Sequence, residues 1–281
     1  MKAAQLTEPD AEHGEGPVWW PSWGGLRWVD LFAGDMLTLR GDGTVARRHL
    51  GSALGSLRPR AGGGMVMALD THFALTDAWD EEPRPFGNLR TSPGVRLNDG
   101  GCDPQGRFYC GSMAHDSAPG AGCLYRLDPD GSTRVLLRGV TVSNGIGWSP
   151  DGGTAYYIDT GTHRLDAFDH DPDRGLSGRR PLARIDEALP DGLAVDAEGG
   201  IWVALMGGGA VNRYRPDGTL EDRVELPVRQ VTACAFGGPR LDELFITTSR
   251  VGFGIAEEPE AGAVFRADVG VAGLPALPFA G

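Results

Sequence analysis

Short runs in which apolar and polar residues alternate, each closed by a glycine-containing turn, recur along the whole chain. Residues 26–31 (LRWVDL), 36–39 (MLTL) and 44–50 (TVARRHL) are three such runs, separated by AGD and GDG turns. Further on, turns of one type feed runs of one type: DPQG leads to RFYCGSM, SPDGG to TAYYID and DAEGG to IWVALM. Alternation with a period of two, rich in β-branched and aromatic residues and bounded by Asp, Pro and Gly, is the signature of half-buried strands joined by tight turns. No window of about a dozen residues free of Gly and Pro carries a 3.6-residue apolar period. The pattern predicts an all-β protein.

The spacing of the turns turns strands into an architecture. Gly24-Gly25, Gly62 to Gly64, Asp103 to Gly106, Ser149 to Gly152, Asp196 to Gly199 and Gly237 to Arg240 follow one another at intervals of about 38, 41, 46, 47 and 41 residues. Units of ~40–47 residues with roughly four strands each have the length of a propeller blade. The expectation is a six-bladed β-propeller occupying residues 1–281 as one domain, since a seventh blade would need shorter units. Residues 80–94 (DEEPRPFGNLRTSPG), charged and Pro-rich, read as a long surface loop. Trp28, Trp148 and Trp202 recur at strand positions and read as blade-packing core.

Composition changes the picture in a few places. Gly at 44 and Pro at 20 of 281 residues would suggest disorder if they were scattered, but they sit at the turns between apolar runs. Apolar residues make up 41 %, enough for a sizeable core, and the net charge of −12 disfavours nucleic acid and anionic membranes as partners. The first residues, MKAAQLTEPDAEHGEG, lack the apolar centre of a secretion signal, and no run approaches the ~18 apolar residues of a membrane span. A cytoplasmic location is therefore expected. Cys102, Cys110, Cys123 and Cys234 form no CxxC pair and read as free thiols, a Cys102–Cys110 disulfide being the less favoured alternative. There is no GxSxG elbow, HExxH helix, P-loop or GxGxxG following a strand, which disfavours serine hydrolases and nucleotide enzymes.

Candidate chemistry lies just ahead of the repeated strands. Glu15, Asn98, Asn144 and Asp191 take the same pre-strand position in different units. Loops of a propeller open toward one end of the central channel, so polar residues at one repeat position converge there. Two carboxylates and two amide oxygens suit a hard divalent cation such as Ca2+ or Mg2+, and would also tolerate Mn2+, Fe2+ or Zn2+. The plainer alternative is that NDG and PDG are turn tripeptides whose Asn or Asp caps the backbone. Asp99, Asp103, Asp151 and Asp196 read as turn-formers of this kind, and His115, His163 and His170 receive no role. Glu15 before Gly-Pro is harder to explain in that way.

Seven segments, GEGPVW, RLNDGGCDPQGRFYCGSM, SNGIGWSPDGGTAYYIDT, AFDHDPDRGLSGRR, PDGLAVDAEGGIWVAL, FGGPRLDELFITT and EAGAVFR, stand in this order along nearly the whole chain. In them the sequence resembles the SMP-30/gluconolactonase/regucalcin-like family of six-bladed propellers, which includes sugar lactonases. The resemblance implies metal ligation by Glu15, Asn144 and Asp191, and substrate contact by Arg96 and Asn98. Asp116 stands where some family members carry a longer Glu that also touches substrate, a departure that bears on the substrate and not on the metal. By the same resemblance Asp191 doubles as general base, one divalent cation (Ca2+ foremost, with Zn2+, Mn2+, Mg2+ and Fe2+ as alternatives) polarises the carbonyl and activates water, and Arg96 holds sugar hydroxyls or the developing oxyanion. The expected partner is a small sugar lactone, opened to its aldonic acid by a monomer or weak homo-oligomer. Two other readings stand beside this one: a lactonase or phosphotriesterase for non-sugar substrates, which needs an apolar pocket, and a non-catalytic Ca2+-binding propeller.

Overall fold

The alternating runs pair into six four-stranded antiparallel sheets, each built from consecutive strands except the last. The computed structural model describes residues 1–253 and 256–281. The innermost strands of blades one to six are Gly14–Trp20, Leu54–Pro59, Val95–Cys102, Ser143–Trp148, Leu189–Val195 and Val231–Gly237. Each touches the inner strand of the blade before and after it, and the sixth returns to the first, so the sheets form a closed ring around a channel. Among the described residues, helix is confined to two single 3-10 turns, Pro21–Trp23 and Thr160–Thr162. No helix among them is long and apolar enough to cross a membrane.

Two strands are too short for alternation to reveal. Blade six draws three strands from the end of the chain and its outermost from Ala4–Gln5, which pairs with Phe265–Asp268. The N-terminus thus closes the ring. The outer strand of blade two is Arg84–Pro85, paired with Leu75 and Ala74 inside the segment read from sequence as a surface loop. Two residues can satisfy an edge without displaying any period.

The core lies between adjacent sheets, where inward-facing side chains interdigitate. Trp28 and Trp202 are buried, as their strand positions implied, and Trp148 packs edge-on against Tyr109 at 5.2 Å between ring centroids. All four cysteines are free, and burial pushes the Cys102, Cys110 and Cys234 thiols up.

The C-terminal segment is a strap. It leaves blade six by hydrogen bonds from Gly273 N to Leu241 O (2.8 Å) and from Ala197 N to Ala272 O (2.9 Å). It ends on blades two and three, where Phe279 N donates to Pro59 O (2.8 Å) and Ala280 N to Gly106 O (2.9 Å). Phe279 is fully buried in the cluster of Phe73, Phe108 and Leu127, with Phe86 edge-on at 6.0 Å. Truncating a buried Phe removes its transfer free energy and leaves a cavity, at a cost of ~3–5 kcal/mol. Phe279→Ala is therefore expected to lower the urea midpoint by that equivalent while leaving the far-UV spectrum of the native state intact; a midpoint equal to wild type would show that the strap is not an anchor.

Candidate active site

Each inner strand carries one extra residue at the same depth. The ladder to the second strand shifts between Glu15 and Val18, Leu54 and Ser56, Leu97 and Gly100, Ser143 and Ile146, Pro190 and Leu193, and Val231 and Ala233. Such a bulge bends the strand and re-aims a side chain out of the regular pleat. Asn98, Asn144 and Asp191 fall inside three of these shifts, and Glu15 stands at the lip of a fourth. The candidate residues are thus within their strands and not ahead of them, all four buried against the channel. At the equivalent place blade two has Gly55, where a Cβ would lie 2.5 Å from Asn98 O, and blade six has Thr232, whose hydroxyl donates to Gly14 O (2.6 Å). Four blades supply ligand-type side chains and two supply packing.

The glycines that follow Asn144 and Asp191 have a steric cause. A Cβ at Gly145 would meet Leu193 N at 2.5 Å, and one at Gly192 would meet Ala233 Cβ at 2.5 Å. Asn144 and Asp191 are held at blade junctions that only glycine lets close.

Hydrogen bonds lock the amides in a row across blades three, four and five. Arg96 Nη1 donates to Asn98 Oδ1 (2.5 Å), and Asn98 Nδ2 donates to Ser143 O (2.7 Å) and Asn144 Oδ1 (2.9 Å). Asn144 Nδ2 donates to Thr160 Oγ1 (2.7 Å), whose hydroxyl donates to Pro190 O (2.6 Å). Neither amide caps its own turn, so the turn-tripeptide alternative fails for Asn98 and Asn144. Each amide oxygen retains a second lone pair. Thr160 carried no sequence signal of its own.

The electrostatics are lopsided. Burial pushes the Glu15 carboxyl well above its ordinary value of 4.5, with the negative charges of Asp191 and Asp99 adding to it and the Gly16 N–H and Arg96 opposing. Asp191 is pushed up by burial and then by Asp99, against Arg96. Asp191 Oδ1 is buried with no hydrogen-bond partner. An orphaned carboxylate oxygen among like charges is unfavourable in the protein alone, and a divalent cation would relieve it. Among the described residues no three His, Cys, Asp or Glu side chains form a metal cluster by themselves. The donor set that fits is mixed, Glu15 and Asp191 carboxylates with the Asn144 amide oxygen, as hard cations accept.

Asp99 corrects the sequence reading. Asp103, Asp151 and Asp196 do accept turn N–H groups two residues on. Asp99 instead lies buried in the bulge of blade three, and burial raises its carboxyl against the pull of Arg58, whose Nη2 is 3.5 Å from Asp99 Oδ1.

Arg96 is buried as well, with Nη2 3.2 Å from Met113 Sδ and its guanidinium 5.6 Å from the Phe32 ring centroid. The ring of Phe32, 47 % exposed, stacks on His13 at 4.8 Å. His13, unassigned from sequence, places Nε2 3.7 Å from Glu15 Oε1 and Nδ1 2.8 Å from Ser249 Oγ. Burial, then Arg96, lowers its pKa to about 4, so the imidazole is neutral at neutral pH. Its position two residues before Glu15 in the sequence was the signal available. Asp116 is not gathered with the others: it is exposed beyond the second strand of blade three, with Oδ1 accepting from Ala118 N (3.0 Å).

A family model described as SMP-30/Gluconolactonase/LRE-like region matches residues 13–250. Regucalcin of Danio rerio is 36 % identical over 293 residues, covering 100 % of this chain and 99 % of its own. The solved structure of regucalcin from Agrobacterium tumefaciens, called a calcium-binding protein, superposes with a TM-score of 0.93 at 29 % identity, covering 99 % of this chain and 97 % of that one. A luciferin-regenerating enzyme superposes with a TM-score of 0.87 at 29 % identity, covering 96 % of each chain.

The raised carboxyls give a signed pH dependence. They bind protons more tightly folded than unfolded, so their contribution is fully present below the ordinary values of 3.8 and 4.5 and is lost as pH rises through the folded values. In chelator, the urea midpoint of wild type is expected to fall more steeply from about pH 5 to about pH 8 than that of Asp191→Asn, and Ca2+ should flatten the wild-type profile. Parallel profiles for the two proteins in chelator would contradict the charge clustering.

Proposed function

The chain belongs to the SMP-30/gluconolactonase/LRE-like family, and from that premise we propose that it is a divalent-cation-dependent lactonase that opens a sugar lactone to its aldonic acid. The observation that carries this reading is the unpartnered Asp191 Oδ1, buried within the electrostatic reach of Glu15 and Arg96. Glu15, Asn144 and Asp191 would hold the cation. When bound it supplies Lewis acidity toward the lactone carbonyl and lowers the pKa of its water.

The side chains account for the remaining steps. Asp191, with one oxygen free, takes the proton of the attacking water as the C–O bond forms, and returns it to the ring oxygen as that C–O bond breaks. The products are a free hydroxyl and a carboxylic acid, which ionises by releasing the second water proton to solvent. Arg96, fixed on Asn98 and Leu97 O, directs its charge at the oxygen that becomes anionic. His13 is neutral and does not compete for that charge. The exposed face of Phe32 beside the guanidinium offers an apolar platform to the C–H face of a sugar ring. Asp116 lies three residues beyond Met113, the side chain that Arg96 touches. It would have to release Ala118 N–H before contacting a substrate hydroxyl.

A second reading, cation binding without turnover, is favoured by that engaged Asp116 carboxylate and by the calcium-binding relative. Acid release from a panel of γ- and δ-sugar lactones separates the two. Chelated protein should be inactive, one of Ca2+, Mg2+, Mn2+, Zn2+ or Fe2+ should restore it, and Asp191→Ala should lower kcat/KM at least about a hundredfold. Arg96→Ala should chiefly lower kcat, since the charge it directs at the developing oxyanion acts in the transition state. A flat panel from protein that binds the cation would abandon the lactonase reading and leave the binding one.

A further inference from the structure

The channel has a second end. The acids lie near the starts of the inner strands, whereas the ends of the same strands, with the strap across them, enclose an open-mouthed cavity of about 420 Å3. That volume lies within the ~300–1,000 Å3 range of small-molecule sites. Its wall is mainly apolar and aromatic, including Trp19, Trp148, Leu193 and Phe236, with Leu274 and Leu277 of the strap as its floor.

One polar group inside this wall can fix a guest. Arg58 faces the cavity from the inner strand of blade two, its Nη1 donating to Leu57 O (2.7 Å) and its Nη2 to Asp99 Oδ1 (3.5 Å). A guanidinium has five N–H donors, so these two bonds leave donors for a ligand. The charge of Arg58 is already offset by Asp99, and Glu15 and Asp191 lie beyond it. An anion entering here would meet their repulsion in a poorly solvated space, whereas a neutral acceptor would not. Asp151 also borders the cavity, but it is exposed to solvent, and its Oδ1 accepts from Ser149 Oγ (2.6 Å) and Gly153 N (3.0 Å).

We infer that the strapped end of the channel is a second ligand site, separate from the acidic one, for a neutral aromatic or alicyclic molecule that presents a carbonyl-type acceptor to Arg58. Its apolar body lies against Trp19, Trp148 and Phe236, and the strap forms the closed side.

Prodan, a neutral naphthalene ketone whose emission reports polarity and hydrogen bonding, is a suitable probe. Titrated into the full-length protein, it should bind one per chain with blue-shifted emission and quench tryptophan fluorescence by energy transfer. Arg58→Met should weaken it about tenfold through loss of the charged donor. Ala276→Trp, on the partly exposed strap, should fill the cavity and abolish binding, which keeps the test decisive if Arg58→Met fails to fold. Asp191→Asn should bind prodan as wild type does, and the anionic naphthalene sulfonate ANS should bind more weakly than prodan. The inference is overturned by an absence of saturable binding, by undiminished binding in Ala276→Trp, by loss in Asp191→Asn (which would put the probe at the acids), or by a preference for ANS.

Discussion

Everything chemical in this molecule depends on six inner strands being forced around one axis with an extra residue at the same depth in each. Without the bulge, alternate residues of these strands would only pack against the neighbouring sheet. With it, single side chains from blades far apart in sequence meet on the axis. Glycine sets the precision: at Gly145 and Gly192 the next blade approaches so closely that no side chain fits. Asn144 and Asp191 are therefore placed by backbone contact and not by flexible loops, the arrangement that preorganised sites require.

Charge along that axis is layered. Glu15 and Asp191 come first, Asp99 follows, then Arg58, and then an apolar chamber closed by the strap. Three buried carboxyls with Arg96 and Arg58 as the neighbouring cations cost stability when the protein stands alone, because each ionised form is desolvated and repelled by the others. That cost is what a bound cation would relieve. Asp99 and Arg58 pair between the acids and the apolar chamber, so the field of the acids is blunted before it reaches the aromatic wall.

The fold was legible because turn chemistry and strand period repeat together; a wrong assignment in one blade would have clashed with the other five. What escaped the sequence lies where that repetition stops. Ala4–Gln5 and Arg84–Pro85 are too short to show a period. The strap, rich in Pro and Ala, alternates in nothing and binds through backbone groups and Phe279. In the site, residue types were readable but their setting was not. A bulge shifts the register by one without altering composition, so a residue inside a strand looked like one ahead of it. Asp99 shows the limit most clearly: its sequence neighbourhood, Asn-Asp-Gly, is that of a turn, and only the bulge sends it to the axis. His13 was readable in principle, two residues before Glu15.

Ala4–Gln5 closes the rim of blade six, while the strap ties blades five and six to blades two and three across the channel. Both act as fasteners on a ring whose centre carries mutually repelling acids. A propeller held only by neighbour-to-neighbour packing could relax that repulsion by opening at a junction between blades. Fastening the rim with one end of the chain and the channel with the other removes that escape. A bound cation would then relieve the unfavourable charge where a change of shape could not.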